Sequence, residues 1–181
     1  MKIINDNCFN VIFPKGRLLL TDIPYNEVNR VSNNLRVLDK QNADISTFEL
    51  SAFLELVYPL TDIFCIFCGN KQYSELYSFF AKKQDEKLGT VRQLIYAKSN
   101  PSPMNGEYVY LSAVENAVWF KKKGTGKLTN KCTRNYIIAP SGSSKYHPTE
   151  KNHKLLSEII LQNTSEGDLI IDPCMGSGSS G

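Results

Sequence analysis

The sequence predicts an α/β domain built on a mainly parallel sheet. Two observations carry this: short apolar runs alternate with stretches of helical periodicity along most of the chain, and the last apolar run opens into a glycine-rich turn. At 181 residues the chain suits one domain with a real core.

Taken in order, Arg17-Leu18-Leu19-Leu20-Thr21-Asp22 reads as a short buried strand ending in an acidic turn. Ile23-Pro24-Tyr25-Asn26 cannot continue as a regular helix, because proline lacks the backbone donor and clashes with the preceding turn. Residues 44–58 place Phe48, Ala52, Phe53, Leu56 and Val57 at helical spacing, and Pro59 stops the run. Asp62 to Cys68 is a second apolar strand, broken by Gly69. Lys71 to Lys83 is helical again, with Tyr73, Leu76, Tyr77 and Phe80 on one side. Arg92 to Ala97 and Glu115 to Lys122 are strands flanking a Pro/Ser/Asn/Gly loop, residues 99–106. His147-Pro148-Thr149-Glu150 reads as a helix start, Lys151 to Leu161 as the helix, and Asp168 to Asp172 as a last strand.

Composition excludes several classes. A hydrophobic share of 41% with 22% charged residues is ordinary for a soluble protein. No apolar run approaches the roughly 18 residues of a membrane span. The start, Met1-Lys2-Ile3-Ile4-Asn5-Asp6, lacks the pattern of a secretory signal, so a cytoplasmic location is expected. The cysteine count, 5, is odd, which rules out a fully paired disulfide framework within one chain. Cys65 and Cys68 form a C-x-x-C, but they lie in an apolar run with no second pair; buried small side chains are expected there, and no metal site.

The net charge of +3 is unevenly spread. Between Lys121 and Lys154 lie Lys121, Lys122, Lys123, Lys127, Lys131, Arg134, Lys145, Lys151 and Lys154, against Glu150 as the sole acid. Such a segment on a near-neutral protein reads either as a polyanion-facing surface or as a solvated loop.

The run Asp168-Leu169-Ile170-Ile171-Asp172-Pro173-Cys174-Met175-Gly176-Ser177-Gly178 is a strand feeding a turn whose glycines let backbone approach a ligand closely. Rossmann-like sheets bind nucleotide cofactors at this place. Gly176-x-Gly178-x-x-Gly181 also matches the dinucleotide fingerprint formally. The acid expected about 20 residues further on would fall past Gly181, however, so a dinucleotide-dependent oxidoreductase is the weakest of the readings.

Asp172-Pro173-Cys174-Met175-Gly176-Ser177-Gly178 resembles the D-P-F-x-G-S-G cofactor motif of DNA N6-adenine and N4-cytosine methyltransferases. Thr21-Asp22-Ile23-Pro24-Tyr25-Asn26 resembles their catalytic D-P-P-Y turn. His147-Pro148-Thr149-Glu150-Lys151-Asn152 is similar to their H-P-T-Q-K-P, Lys98-Ser99-Asn100-Pro101-Ser102-Pro103 to K-x-N-P-x-P, and Glu115 to Lys122 to the H/E-x-x-x-x-F-x-K strand. With the catalytic turn first and the cofactor turn last, the order is that of the circularly permuted β class. Ile23 stands where the family usually has proline, and Cys174 where it has an aromatic ring that packs on the cofactor.

The resemblance implies a Rossmann-like methyltransferase sheet, circularly permuted, and S-adenosyl-L-methionine as cofactor. It implies methyl transfer to the exocyclic amine of a base flipped out of double-stranded DNA, as in restriction-modification systems. Adenine N6 is favoured over cytosine N4 by the leading Asp22. Asp22 and the Ile23 carbonyl would accept the two amine hydrogens, with Pro24 shaping the turn and Tyr25 stacking on the base. Asp172, Pro173, Cys174, Gly176, Ser177 and Gly178 would hold the cofactor, with Pro148, Thr149 and Lys151 near its methionine end. Lys121, Lys122, Lys123, Lys127, Lys131 and Arg134 would face DNA phosphates. The implied division is 1–98 for the catalytic half, 99–146 for a short target-recognition segment, and 147–181 for the cofactor helix, strand and turn. In the family the cofactor turn leads into a helix and a strand bearing a ribose-binding acid. The expectation is therefore a sheet incomplete at its C-terminal end, with a second chain as a candidate supplier of the rest. The alternative is a non-catalytic DNA-binding remnant or one half of a split methyltransferase.

Overall fold

The computed structural model describes residues 2–25, 48–103, 106–131, 134–141 and 151–176. Six strands form one sheet: β1 (Gly16–Asp22), β2 (Thr61–Cys68), β3 (Gly89–Lys98), β4 (Val114–Lys122), β5 (Tyr136–Ala139) and β6 (Ile170–Ile171). The spatial order is β5-β3-β4-β2-β1-β6. The helices among the described residues are α1 (Leu50–Val57), α2 (Asn70–Asp85) and α3 (His153–Asn163).

Side-chain alternation explains why the central strands are apolar throughout. Successive strand residues point to opposite faces. Leu19, Phe64, Ile66, Val118 and Phe120 meet Phe53, Leu54 and Val57 of α1 and Leu76 and Phe80 of α2 on one face. Leu18, Leu20, Ile63, Cys65, Phe67 and Ala117 meet Leu155, Leu156 and Ile159 of α3 on the other. With helices on both faces, the β1 and β2 runs have no solvent side, and continuous hydrophobicity is the required pattern. The same alternation puts Cys65 and Cys68 in different core layers, so they cannot share one metal ion. Burial pushes both thiols up to about 12. No cluster of three His, Cys, Asp or Glu side chains suited to a metal occurs among the described residues, and none of their helices is long and apolar enough to cross a membrane.

The sheet is mixed, which corrects the expectation of a mainly parallel one. β1 runs parallel to β2 and β6, and β3 parallel to β5, whereas β4 is antiparallel to both β2 and β3. The chain returns from β3 to β4 without a crossover helix, and such a link reverses direction. β5 is a strand with no counterpart in the sequence reading; it has four residues, and Tyr136 and Ile138 are exposed. α1 is shorter than the periodicity suggested: Phe48 and Glu49 precede it in non-helical conformation, and 44–47 lie outside the described residues. α3 begins two residues later than expected because Asn152 is its N-cap, accepting from the Leu155 backbone. The expected start at His147 to Glu150 lies outside the described residues. β6 is cut to two residues, since Asp168 instead turns back to accept from the Ser165 backbone.

One glycine is demanded by packing. A Cβ on Gly89 would lie 2.3 Å from the Phe120 ring and 2.4 Å from the Lys121 carbonyl. Gly89→Ala is therefore expected to lower stability by about 1–3 kcal/mol through overpacking, read as a reduced urea midpoint.

Candidate active site

β1, β2 and β6 are parallel, so their carboxyl ends open on one edge of the sheet, the place where open α/β sheets take ligands. Asp22 closes β1, Gly69 follows β2 and Asp172 follows β6. Thr21 joins the turn after β1 to the glycine turn, which lie some 150 residues apart in sequence: its hydroxyl donates to Asp172 Oδ1 at 2.7 Å. The Cys174 backbone N–H reaches the same two groups, Asp172 Oδ1 at 3.1 Å and Thr21 Oγ1 at 3.3 Å. The β1–β6 pairing thus fixes the start of the glycine turn against the end of β1. Gly176 has φ +52°, and among the described residues a Cβ there would meet nothing closer than 4.0 Å.

The other half of the site is a charge network around Lys151. Its Nζ lies 2.8 Å from Asp22 Oδ2, 2.7 Å from Glu115 Oε2 and 2.9 Å from the Tyr25 hydroxyl. Tyr25 donates to Asp22 Oδ1 at 2.8 Å, and Lys98 pairs with Glu115 at 2.7 Å. Asp22 and Glu115 against Lys98 and Lys151 make the cluster neutral, which lets it sit largely out of water. Burial alone would lower the Lys151 pKa, yet Asp22, Tyr25 and Glu115 together hold it well above the usual lysine value. Burial likewise works to raise Glu115, but Lys151 and then Lys98 overcome it and leave the carboxyl below its usual value. Burial, then the Asp22 charge, pushes the Tyr25 phenol well up.

These shifts set a pH window. The lowered Glu115 contributes stability above about 4.5, and loses it as pH falls through its folded value. The raised Lys151 and Tyr25 contribute fully below 10.5 and 10.0 respectively, and lose it as pH climbs toward their folded values. Urea melts across pH should show a plateau between these limits, with the acid limb flattened in Glu115→Gln.

Gln72 supports the turn after β1. Its amide donates to the Pro24 carbonyl at 2.7 Å and its oxygen accepts from the Gly69 backbone at 3.1 Å. Gly69 itself lets the turn lie close, since a Cβ there would come within 3.2 Å of Tyr25 Cβ. Ile23 is buried, its backbone donating to the Phe67 carbonyl.

The structure brings together Asp22, Ile23, Pro24, Tyr25, Lys151, Asp172, Pro173, Cys174 and Gly176. Pro148, Thr149, Ser177 and Gly178 lie outside the described residues. Glu115, Lys98, Gln72 and Thr21 were not singled out as site residues from sequence; Lys98 and Glu115 each open one of the resembling motifs, the one signal that pointed toward them. Tyr25 is inside the network through its hydroxyl, which differs from an exposed stacking ring.

The basic stretch lies away from Asp22. Lys121 pairs with Ile63 near the start of β2, whereas Asp22 pairs with Phe67 near its end. Four strand residues place them roughly 13 Å apart along the sheet, at opposite edges. Lys122 is turned inward, donating to the Tyr58 carbonyl at 2.6 Å with its ammonium 4.5 Å above that ring, and burial lowers its pKa. Arg17 fixes the following turn through the Thr125 and Lys127 carbonyls. Lys121, Lys123 and Lys127 line an open cavity of about 780 Å³ at that far edge. Arg134 lies over the Tyr136 ring beside β5, and Lys131 is an exposed loop residue. None of these cations flanks Asp22.

The N6/N4 DNA methylase family matches residues 17–181, and the chain belongs to it. The type II methyltransferase M2.DpnII of Streptococcus pneumoniae is 27% identical over 131 residues, covering 59% of this chain and 46% of that protein. The type II methyltransferase M.HinfI of Haemophilus influenzae is 24% identical over 130 residues, covering 60% and 36%. The chain thus spans less than half the length of these curated relatives. A crystal structure of the M1.HpyAVI–SAM complex is similar with TM-score 0.71 at 25% identity, over 97% of this chain and 82% of that one. A structure of M1.HpyAVI alone shares the fold at TM-score 0.62 and 22% identity, over 92% and 73%. The fold is therefore the Rossmann-like methyltransferase sheet.

Proposed function

We propose that this chain carries the amine-polarising and cofactor-binding parts of an S-adenosylmethionine-dependent DNA methyltransferase acting on adenine N6. The observation that carries this reading is the Thr21 link. It holds Asp22, an acceptor for an amine, next to the Asp172–Gly176 turn, the open backbone of which fits a nucleoside cofactor. The similarity to the M1.HpyAVI–SAM complex supports the same cofactor.

When bound, the cofactor supplies an electrophilic methyl group. Everything else falls to the chain. An exocyclic amine is a poor nucleophile because its lone pair is delocalised into the ring. Asp22 accepts one amine hydrogen and the Ile23 carbonyl the other, which moves the nitrogen toward sp³ and aims its lone pair. Positioning of this kind supplies several kcal/mol of the barrier. To receive the amine, Asp22 Oδ1 releases the Tyr25 hydroxyl, and the freed ring becomes a platform for the base, a contact worth about 1–3 kcal/mol. Lys151 stays on Asp22 Oδ2. Residues 1–98 supply the amine-polarising turn, 99–146 face DNA, and 147–181 hold the cofactor. Within 99–146 the DNA-facing part is the loop between β3 and β4, which leaves and re-enters at the Asp22 edge and carries exposed Tyr108 and Tyr110.

The test is incubation of the chain with S-adenosylmethionine and mixed-sequence duplex DNA, followed by nucleoside analysis. N6-methyladenine is expected. N4-methylcytosine in its place rejects the adenine assignment, and no methylated base from a chain that binds the cofactor rejects amine transfer.

A further inference from the structure

Two cavities on the α3 side of the sheet meet at Trp119 and Leu128, which line both. The larger, about 780 Å³, carries Lys87, Lys121, Lys123 and Lys127. The smaller, about 120 Å³, carries Arg92 and Arg134. Together they form one groove with cations at both ends and an aromatic ring at its middle. Among the described residues, no Asp or Glu lines either cavity. Acids beside them are engaged elsewhere: Glu86 pairs with Lys83 at 3.9 Å, Asp62 with Arg17 at 3.3 Å, and Glu158 accepts from Gln162 at 3.4 Å.

The groove is held in shape. Trp119 Nε1 donates to Asn163 Oδ1 at 2.9 Å, which fixes the ring against the end of α3. The Lys123 backbone donates to the Leu88 carbonyl at 2.8 Å, tying the turn after β4 to the turn before β3. Arg17 holds the Thr125 and Lys127 carbonyls from below. Lys87 has φ +61°, a conformation in which a helix end usually places glycine. A side chain kept at such a position, and lining the cavity, marks the lysine as wanted there.

We infer that this groove is a second nucleic-acid contact, taking the sugar-phosphate ridge of duplex DNA away from the target base. The choice of DNA as partner rests on the proposed function; the preference for a polymeric anion rests on the groove alone. A single phosphate is held by cations that converge on one point. Here they come from the α2–β3 turn, β3, β4, the turn after β4 and the segment before β5, on both sides of Trp119, which suits a chain of phosphates. Lys151 precedes α3, and Gln162 and Asn163 end it beside the groove. The groove and the Asp22 network therefore lie at opposite ends of an 11-residue helix, roughly 16 Å apart, which a duplex covers in about five base steps. Phosphate contacts at that distance add affinity and residence on DNA and read no sequence.

Trp119 is the single tryptophan of the chain, so its emission reports on this groove without any substitution. The full chain is titrated with a labelled mixed-sequence duplex by anisotropy, and with the unlabelled duplex while Trp119 emission is read. The expected result is an emission change that tracks the anisotropy curve. Combined Lys121→Gln, Lys123→Gln and Lys127→Gln should weaken binding at least tenfold and lower the slope of log affinity against log salt by about 2–3. A wild type whose anisotropy rises while Trp119 stays silent, with the triple variant binding as tightly, overturns the groove. An equal Trp119 response to inorganic tripolyphosphate at the same phosphate concentration overturns the polymer assignment, and tighter binding of a single strand than of the duplex overturns the duplex. Methyl transfer measured on the same samples keeps the two readings apart. Trp119 responding without transfer counts against the enzyme reading and leaves the groove, whereas transfer with a silent Trp119 removes the groove alone.

Discussion

Lys151→Met is expected to destabilise the fold by about 3–5 kcal/mol, because it leaves two largely buried carboxylates without their shared cation. Lys151 Nζ contacts Asp22 and Glu115 at 2.8 and 2.7 Å with a side chain only 10% exposed. After its removal Glu115 keeps Lys98, but Asp22 retains only the Tyr25 hydroxyl of the contacts around it described above. Methionine keeps an unbranched stem while removing the ammonium, which also lies 5.4 Å and 5.2 Å from the Tyr25 and Phe67 ring centroids, so the loss reports on charge and not on a cavity. Urea unfolding gives the magnitude. Adding Glu115→Gln to Lys151→Met should recover part of it, because the second change leaves Asp22 and Lys98 as a cluster that is neutral again; strict additivity would show that the pair does not interact. A small effect of Lys151→Met alone would mean that the network is open to water.

Asp22→Asn should reduce methyl transfer by on the order of 10²–10³, the scale seen when one preorganised polar contact to a developing charge is lost. The amide keeps the shape but replaces one acceptor oxygen with a donor, so it cannot both hold Lys151 and accept the amine as the carboxylate does. Cofactor affinity should hold within a few-fold, because the turn at Asp172 is secured by Thr21 rather than by Asp22. The contrast between an unchanged dissociation constant and a collapsed rate distinguishes an amine-polarising role from a structural one. Equal losses in both would place Asp22 in the framework of the site.

The parts of this molecule that were readable in the sequence share one physical cause. β1 and β2 bury residues on both faces and α2 along one, so their apolar patterns are dense and local. The turns at Asp22 and Asp172 were readable as local motifs. Their meeting was not readable from periodicity, because it depends on a parallel pairing between Leu18–Leu19 and Ile170–Ile171. β5 escaped notice because an edge strand with exposed Tyr136 and Ile138 has only Ile137 and Ala139 to show. The direction of β4 is invisible to a period of two, which is the same for either orientation. Gln72 acts on Pro24, 48 positions away, so no local pattern could mark it, and the motif that Glu115 opens does not show its ion pair with Lys151, 36 positions away. The lysines from 121 to 127 were readable as charge density, but the edge of the sheet on which they land is decided by the register of β4 against β2.

The central claim is that Asp172 to Gly176 forms a cofactor site beside Asp22. Calorimetric titration of the chain with S-adenosylmethionine, with NAD as the control, tests it most directly. Binding in the micromolar range, absent for NAD and lost in Gly176→Asp, which sets a charged side chain on the turn at a positive φ, is the predicted result. A folded chain that binds no S-adenosylmethionine would contradict the account.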